Sequence, residues 1–119
     1  MKNYKSTKTL MTKYNVSRPS LKRWHAQKKI KAINIENRWF YDEKDVISLL
    51  APAGYIPLKT LSEEFDGIAY TGVKRLVREL GVKTEYRNKV LYVRKEDTQI
   101  IEERVYLALY FKGKQTYNL

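Results

Sequence analysis

The chain contains no cysteine, which excludes disulfides, thiol catalysis and cysteine-ligated zinc. It has a single histidine, His25, with no clustered carboxylate or second histidine, so neither a metal site nor a catalytic triad is indicated. Glycine and proline are scarce, at 5 and 3 residues, and there is no glycine-rich phosphate loop. No apolar run approaches the ~18–20 residues that a membrane span needs. The N-terminus, Met1-Lys2-Asn3-Tyr4-Lys5-Ser6, lacks the apolar core of a signal peptide. These absences read as a cytoplasmic protein without a membrane association and without a cofactor. The carboxylates Glu63-Glu64, Asp66 and Glu102-Glu103 fall where helix faces should be wet, and no acidic pair has nuclease-like spacing. An enzyme is not expected.

Negative charge is also in short supply. The 119 residues hold 24 Lys and Arg against 13 Asp and Glu, a net charge of +11. Charge of that sign and size favours a polyanionic partner. It is unevenly spread, with 12 basic and 4 acidic residues in 1–51 but 12 and 9 in 52–119. The first part should therefore contribute more of any salt-dependent attraction. Apolar residues make up 43% of the chain, enough for a core and too many for a disordered segment.

What is present comes twice. Lys8-Thr9-Leu10 returns as Lys59-Thr60-Leu61, Leu21-Lys22-Arg23-Trp24 as Val73-Lys74-Arg75-Leu76, Ile30-Lys31 as Val82-Lys83, and Phe40-Tyr41 as Leu91-Tyr92. The offset of about 51 or 52 residues points to two copies of one small unit. Ala51-Pro52-Ala53-Gly54 marks a boundary, which gives a first unit at 1–53 and a second at 54–119. Copies of that size should be marginal alone and pack together.

In the first copy, residues 1–5 read as a mobile polar arm. Ser6 should cap a helix over 7–14, with Thr7, Leu10, Met11 and Tyr14 on its buried face. Asn15-Val16 makes a turn. Ser17 caps a second helix with Pro19 in its first turn, where a missing N–H costs little. Leu21 and Trp24 face inward, whereas Arg18, Ser20, Lys22 and Arg23 face out, the mixture of cations and hydroxyls that a major groove accepts. Residues 30–41 alternate as a hairpin, with Glu36-Asn37 at the turn and Arg38 at the tip. Asp42 caps a helix to Leu50 with Val46, Ile47, Leu49 and Leu50 inward. Trp24 and Trp39, and most of the ten tyrosines, are assigned to packing.

The second copy repeats the plan. Leu58, Leu61, Ser62 and Phe65 form the first apolar face and Asp66-Gly67 the turn. A helix over 70–80 buries Val73, Leu76, Val77 and Leu80 and shows Tyr70, Thr71, Lys74, Arg75 and Arg78. Ser17 corresponds to Ala69, which has no oxygen to cap with. Arg87, Asn88 and Lys89 form the second hairpin tip, with Arg87 and Lys89 placed to contact phosphates. A longer helix over 96–109, striped by Ile100, Ile101, Val105, Ala108 and Leu109, should lie across the junction of the copies. The polar tail after Gly113 should fray.

The run from Thr9 to Trp24 resembles the helix-turn-helix of the MerR and excisionase-like winged-helix group. Arg38-Trp39-Phe40-Tyr41-Asp42-Glu43-Lys44-Asp45-Val46 is similar to that group's wing and following helix. The resemblance covers 6–50 closely and 57–100 more loosely. It implies recognition roles for Arg18, Ser20, Lys22 and Arg23, a wing role for Arg38, and Asn88 or Lys89 as the second wing's counterpart. The duplication and the short length are similar to those of small DNA-binding proteins of Gram-positive conjugative transfer operons. The expected architecture is α+β, two tandem winged helix-turn-helix units forming an internal pseudo-dimer, with central β-hairpins joined into one sheet. Its recognition helices would enter successive major grooves about 34 Å apart. The expected partner is double-stranded DNA, bound by a monomer acting as an internal dimer, together with other transfer proteins. A repressor or excisionase-like architectural factor, an RNA-binding basic protein and a protein-interaction module are the alternatives.

Overall fold

The computed structural model describes the backbone of residues 3–117 and the side chains of residues 3–112. Among the described residues the architecture is mixed α and β, with six α-helices and two antiparallel three-stranded sheets. The order of elements runs twice. The first round is β1 (Tyr4–Ser6), α1 (Thr7–Tyr14), α2 (Arg18–Ala26), β2 (Ala32–Ile35), β3 (Arg38–Asp42) and α3 (Glu43–Leu50). The second is β4 (Tyr55–Pro57), α4 (Leu58–Ser62), α5 (Tyr70–Leu80), β5 (Thr84–Arg87) and β6 (Val90–Arg94), then a 3-10 turn over Lys95–Asp97 and α6 (Thr98–Tyr117). Strand order is β1-β3-β2 in one sheet and β4-β6-β5 in the other. The expected single joined sheet is therefore corrected to two. In each, the second strand of the hairpin is central, and its far edge is taken by a strand of its own copy.

That third strand corrects the reading of residues 1–5 as a mobile arm. Tyr4–Ser6 pairs with β3, Tyr4 opposite Asp42 and Ser6 opposite Phe40. Asn3 carries the pairing one step on by accepting from the Glu43 backbone N–H at 2.8 Å. Three residues are too few to show an alternating pattern, so only the repeat itself (Tyr4 against Tyr55) hints at them.

The chain divides into two compact units, one of residues 1–51 with 86–90 and one of residues 52–85 with 91–119. In the first unit both expected serine caps are present. Ser6 caps α1 by accepting from the Thr9 N–H, and Ser17 caps α2 by accepting from the Ser20 N–H, both at 3.2 Å. Asn15 closes α1 in the left-handed region at φ 54, which asparagine tolerates better than most residues. Its side-chain amide donates to Oδ1 of Asn88 at 3.1 Å, and the Asn88 amide returns a bond to the Asn15 carbonyl at 2.9 Å. The core gathers Leu10, Tyr14, Leu21, Ile30, Tyr41 and Val46, with Met11, Trp24, Ile47 and Leu50 against it. Leu49, expected inward, is instead 41% exposed.

A buried charge pair lies at the edge of this core. Lys13 Nζ and the Tyr14 hydroxyl both donate to Glu43 Oε2 at 2.7 Å. Burial pushes the Glu43 carboxyl up, but the bonds from Lys13 and Tyr14 and the charges of Lys13 and Lys5 outweigh it, so the group titrates below its ordinary value.

The second unit packs Leu58, Leu61, Phe65, Val73, Leu76, Val77, Val93, Ile101 and Val105 into one core. Helix α6 belongs to that core and packs on α5, with Arg104 reaching Glu79 at 3.3 Å and Tyr106 edge-on to Phe65 at 5.8 Å. Its buried residues are Ile101 and Val105, and Ile100, one position round the helix, is 49% exposed. The helix also outlasts its expected end at 109 and reaches Tyr117. The side chains of the polar tail from Gly113, and residues 118–119, lie outside the described residues, as do residues 1–2 of the expected arm. No helix among the described residues is long and apolar enough to cross a membrane.

Candidate nucleic-acid interface

In the first unit three elements converge on one groove of about 430 Å3. Helix α1 contributes Thr7 and Lys8, helix α2 contributes Arg18 and Lys22, and the β2–β3 hairpin contributes Asn37, Arg38, Trp39, Phe40 and Tyr41. The convergence follows from local rules. Ser17 and Pro19 start α2 so that Arg18 and Lys22, four residues apart, share a face. The two-residue turn at Glu36-Asn37, both at positive φ (51 and 65), returns the chain with Ile35 opposite Arg38. That puts Arg38 on the first residue of β3, facing α2 across the groove.

Four cations, Lys8, Arg18, Lys22 and Arg38, line this groove, and no carboxylate does among the described residues. The Tyr41 hydroxyl at its base stays neutral. Burial raises its pKa above the ordinary 10.0, with Arg18 and Thr7 pulling the other way. Unopposed positive charge on a concave wall attracts anions and concentrates their field.

Trp39 forms part of the wall. Its assignment to packing is corrected, since it is 37% exposed. The reason is position on the strand. Tyr41, two residues on and therefore on the same face, reaches the core, whereas Trp39 lies further out towards the turn. Its ring stacks on Tyr41 at 6.4 Å with planes 20° apart and meets the His25 ring at 5.2 Å. The tyrosines divide similarly. Of the nine with described side chains, Tyr14, Tyr41 and Tyr92 are buried, Tyr4, Tyr55 and Tyr70 are half-buried, and Tyr86, Tyr106 and Tyr110 are well exposed, so packing takes up most of them in whole or in part.

Of the residues singled out in the first copy, Arg18, Lys22 and Arg38 are brought together. Arg23 is exposed but does not line the groove, and Ser20 is half-buried with its hydroxyl 2.8 Å from that of Ser17. In the second unit Thr71, Arg75 and Arg78 are exposed along α5 and Lys74 is half-buried. Tyr70, expected to face out, packs in part against the core. Helix α5 has no side-chain cap at Ala69. Next to Ala69, Ile68 packs over Gly72, where an added β-carbon would lie 3.0 Å from Ile68 Cγ1. Arg87 and Lys89 are exposed at the second hairpin tip, on the segment that belongs with the first unit.

A second groove, of about 590 Å3, lies at the other end of α2 and is lined by Tyr4, His25, Lys28, Lys29, Ile30, Lys31, Ala32 and Asp45. Sequence reasoning singles out neither Lys8 nor this lysine cluster, although the run Lys28-Lys29-Ile30-Lys31 is a legible signal. Comparison with family models, curated proteins and solved structures returned no match.

Proposed function

We propose that the chain binds double-stranded DNA and that the first unit supplies most of the affinity. In this reading α1, its turn and α2 act as a helix-turn-helix, α2 is the recognition helix, and the β2–β3 hairpin is the wing. The observation that carries it is the convergence of Lys8, Arg18, Lys22 and Arg38, from three separate elements, on a groove free of carboxylate among the described residues. Cations so placed neutralise backbone phosphates, and exposed Arg23 on the same helix is available to a base edge. Helix α5 and the β5–β6 hairpin, which repeat the element order, act as a second and weaker reader through Thr71, Lys74, Arg75 and Arg78.

Duplex DNA is favoured over RNA because the deep, narrow major groove of an A-form helix does not admit a helix such as α2. The likeness in duplication and length to small DNA-binding proteins of Gram-positive conjugative transfer operons is the ground for proposing an accessory or regulatory role in plasmid transfer, near the transfer origin. Repression, or architectural action on a mobile element, would use the same chemistry on a different site.

The test is binding of the full chain to a pool of random duplexes across a salt series, followed by a footprint. Log affinity should fall with log salt at about −0.9 per phosphate engaged. A footprint of two helical turns supports reading by both copies, and one turn restricts reading to the first unit. Arg23→Ala should cost about 1–3 kcal/mol and relax preference at one position. Equal competition by structured RNA, or a flat salt dependence, would sink the proposal.

A further inference from the structure

We infer that the groove at the C-terminal end of α2 is a second phosphate site, and that it holds the DNA strand across the major groove from the strand held by Arg18, Lys22 and Arg38. The inference rests on the duplex reading above and assigns a phosphate-holding role to Lys28, Lys29 and Lys31.

Spacing places the two grooves on one side of one helix. Arg18, Lys22 and His25 follow at i, i+4 and i+7, a single stripe of α2. The first two line the groove at the N-terminal end and His25 lines the groove at the C-terminal end. At a rise of ~1.5 Å per residue, Arg18 and His25 are roughly 10 Å apart along the axis. The grooves they mark lie somewhat further apart, which fits the ~12 Å between the strands bordering a B-form major groove. Between them stands the Trp39 and His25 pair, at 5.2 Å, a stretch without lysine or arginine that would face the groove floor and not a backbone.

The charges in the second groove are available. Lys28 and Lys29 are exposed and form no ion pair among the described residues. Lys31 is 4.0 Å from Asp42 with its side chain 73% exposed. The one carboxylate in the described lining, Asp45, accepts the Lys31 backbone N–H at 2.9 Å, and three lysines outweigh its charge.

The backbone carries an independent sign. Helix α2 ends with the Lys28 N–H bonded to the His25 carbonyl and the Lys29 N–H to the Trp24 carbonyl, both at 2.9 Å. This is the Schellman pattern, in which the left-handed residue is usually glycine. Here it is Lys28, at φ 59, whereas α5 in the other unit ends on Gly81 at φ 71. A lysine held in a conformation that favours glycine is explained if its charge is needed there.

Lys28→Gly separates the two demands. The variant should melt roughly 2–5 °C higher, because glycine suits this conformation, and should bind duplex DNA with a salt slope shallower by about 0.9. The triple variant Lys28→Gly, Lys29→Ala, Lys31→Ala should flatten the slope by about 2–3. In ethylation interference its signal should vanish on one strand, and that of Arg18→Ala with Lys22→Ala should vanish on the other. If the wild-type chain binds duplex and the triple variant keeps its slope, this site is overturned and the duplex reading stands. If the signal vanishes on the same strand in both variants, the two-strand placement is overturned. If the wild-type chain shows no salt-dependent duplex binding, the duplex reading fails and the site fails with it.

Discussion

The two units share an order of elements but divide the chemistry unequally. The first holds 14 Lys and Arg against 4 Asp and Glu, the second 10 against 9. The first caps both of its leading helices with serine and ties α1 to α3 with a buried charge pair. The second begins α4 and α5 at Pro57 and Ala69, whose side chains accept no capping bond, and relies on a larger apolar core completed by α6. It also leaves Ile100, Leu107 and Phe111 about half exposed along α6. In the second unit, stability is drawn mainly from burial. In the first, polar groups fix local geometry, and the geometry in turn aims cations. On the duplex-binding proposal, two units that differ in this way are better read as one specialised reader and one supporting unit than as two equal readers.

The largest break in that comparison should come at Glu43. Its carboxylate accepts from both Lys13 and Tyr14, and the Lys13 and Glu43 side chains are only 7% and 12% exposed. Glu43→Ala removes the carboxylate to which a buried ammonium and a buried hydroxyl both donate, so it should cost about 3 kcal/mol. A unit this small has little stability to lose. Its unfolding should appear in a thermal melt as loss of the first unit's transition, with DNA binding lost alongside. Glu43 titrates below its ordinary value of 4.5. A lowered folded-state pKa means that its contribution is complete above the unfolded-state pKa and fades as pH falls through the folded one. Wild type should therefore lose stability below about pH 4.5, and Glu43→Gln should flatten that part of the profile.

Next in size is the contrast in binding. Arg18→Ala, Lys22→Ala and Arg38→Ala together should flatten the salt slope by about 0.9 for each phosphate no longer neutralised, close to 3 in all. Lys74→Ala, Arg75→Ala and Arg78→Ala in α5 should flatten it less. The measurement is affinity for one duplex at a series of salt concentrations. A larger effect from the α5 variant would reverse the assignment of reader and support.

Much of this is legible in the sequence, and the residues say why. Helices α1, α3 and α5 are bounded correctly and α2 is started correctly because Ser6, Ser17 and Asp42 are caps, Pro19 marks a first turn, and Gly81 stops a helix. The first hairpin is placed by its alternation and its two-residue turn. Strands β1 and β4 escape notice because three residues hold no period. Trp39 is misassigned because composition favours a buried tryptophan, whereas its place near a hairpin tip favours exposure. Helix α6 is expected to end at 109 because its apolar stripe stops at Leu109, whereas the helix runs on to Tyr117. Arg18, Lys22 and Arg38 can be singled out one at a time, but their meeting in one groove depends on the return of β3, which no residue spacing encodes.

The cap difference is testable by exchanging it. Ser17 accepts from the Ser20 N–H at 3.2 Å, whereas Ala69 accepts nothing through its side chain. Ser17→Ala should destabilise the first unit by about 1 kcal/mol, and Ala69→Ser should stabilise the second by up to about the same amount. Chemical denaturation followed by amide exchange in α2 and α5 would report each. A gain at position 69 smaller than the loss at 17 is expected, because Ile68 already packs over Gly72 there and a serine must hold its hydroxyl against that packing.

The smallest expected effect sharpens the comparison at the hairpin turns. Both turns hold two non-glycine residues at positive φ, Glu36 and Asn37 at 51 and 65, and Asn88 and Lys89 at 49 and 64. Turns of this hand prefer Asn-Gly. Asn37→Gly should therefore stabilise by about 0.5–1 kcal/mol, since glycine meets no β-carbon clash there. Lys89→Gly should gain a similar amount but remove a cation. If the hairpin tips act only as turns, the two variants should bind DNA alike. If the second tip touches phosphate, Lys89→Gly alone should flatten the salt slope while both variants raise the melting temperature. That pairing of a stability gain with a binding loss cannot arise from unfolding, which is why so small a substitution can decide whether the second hairpin contributes to binding.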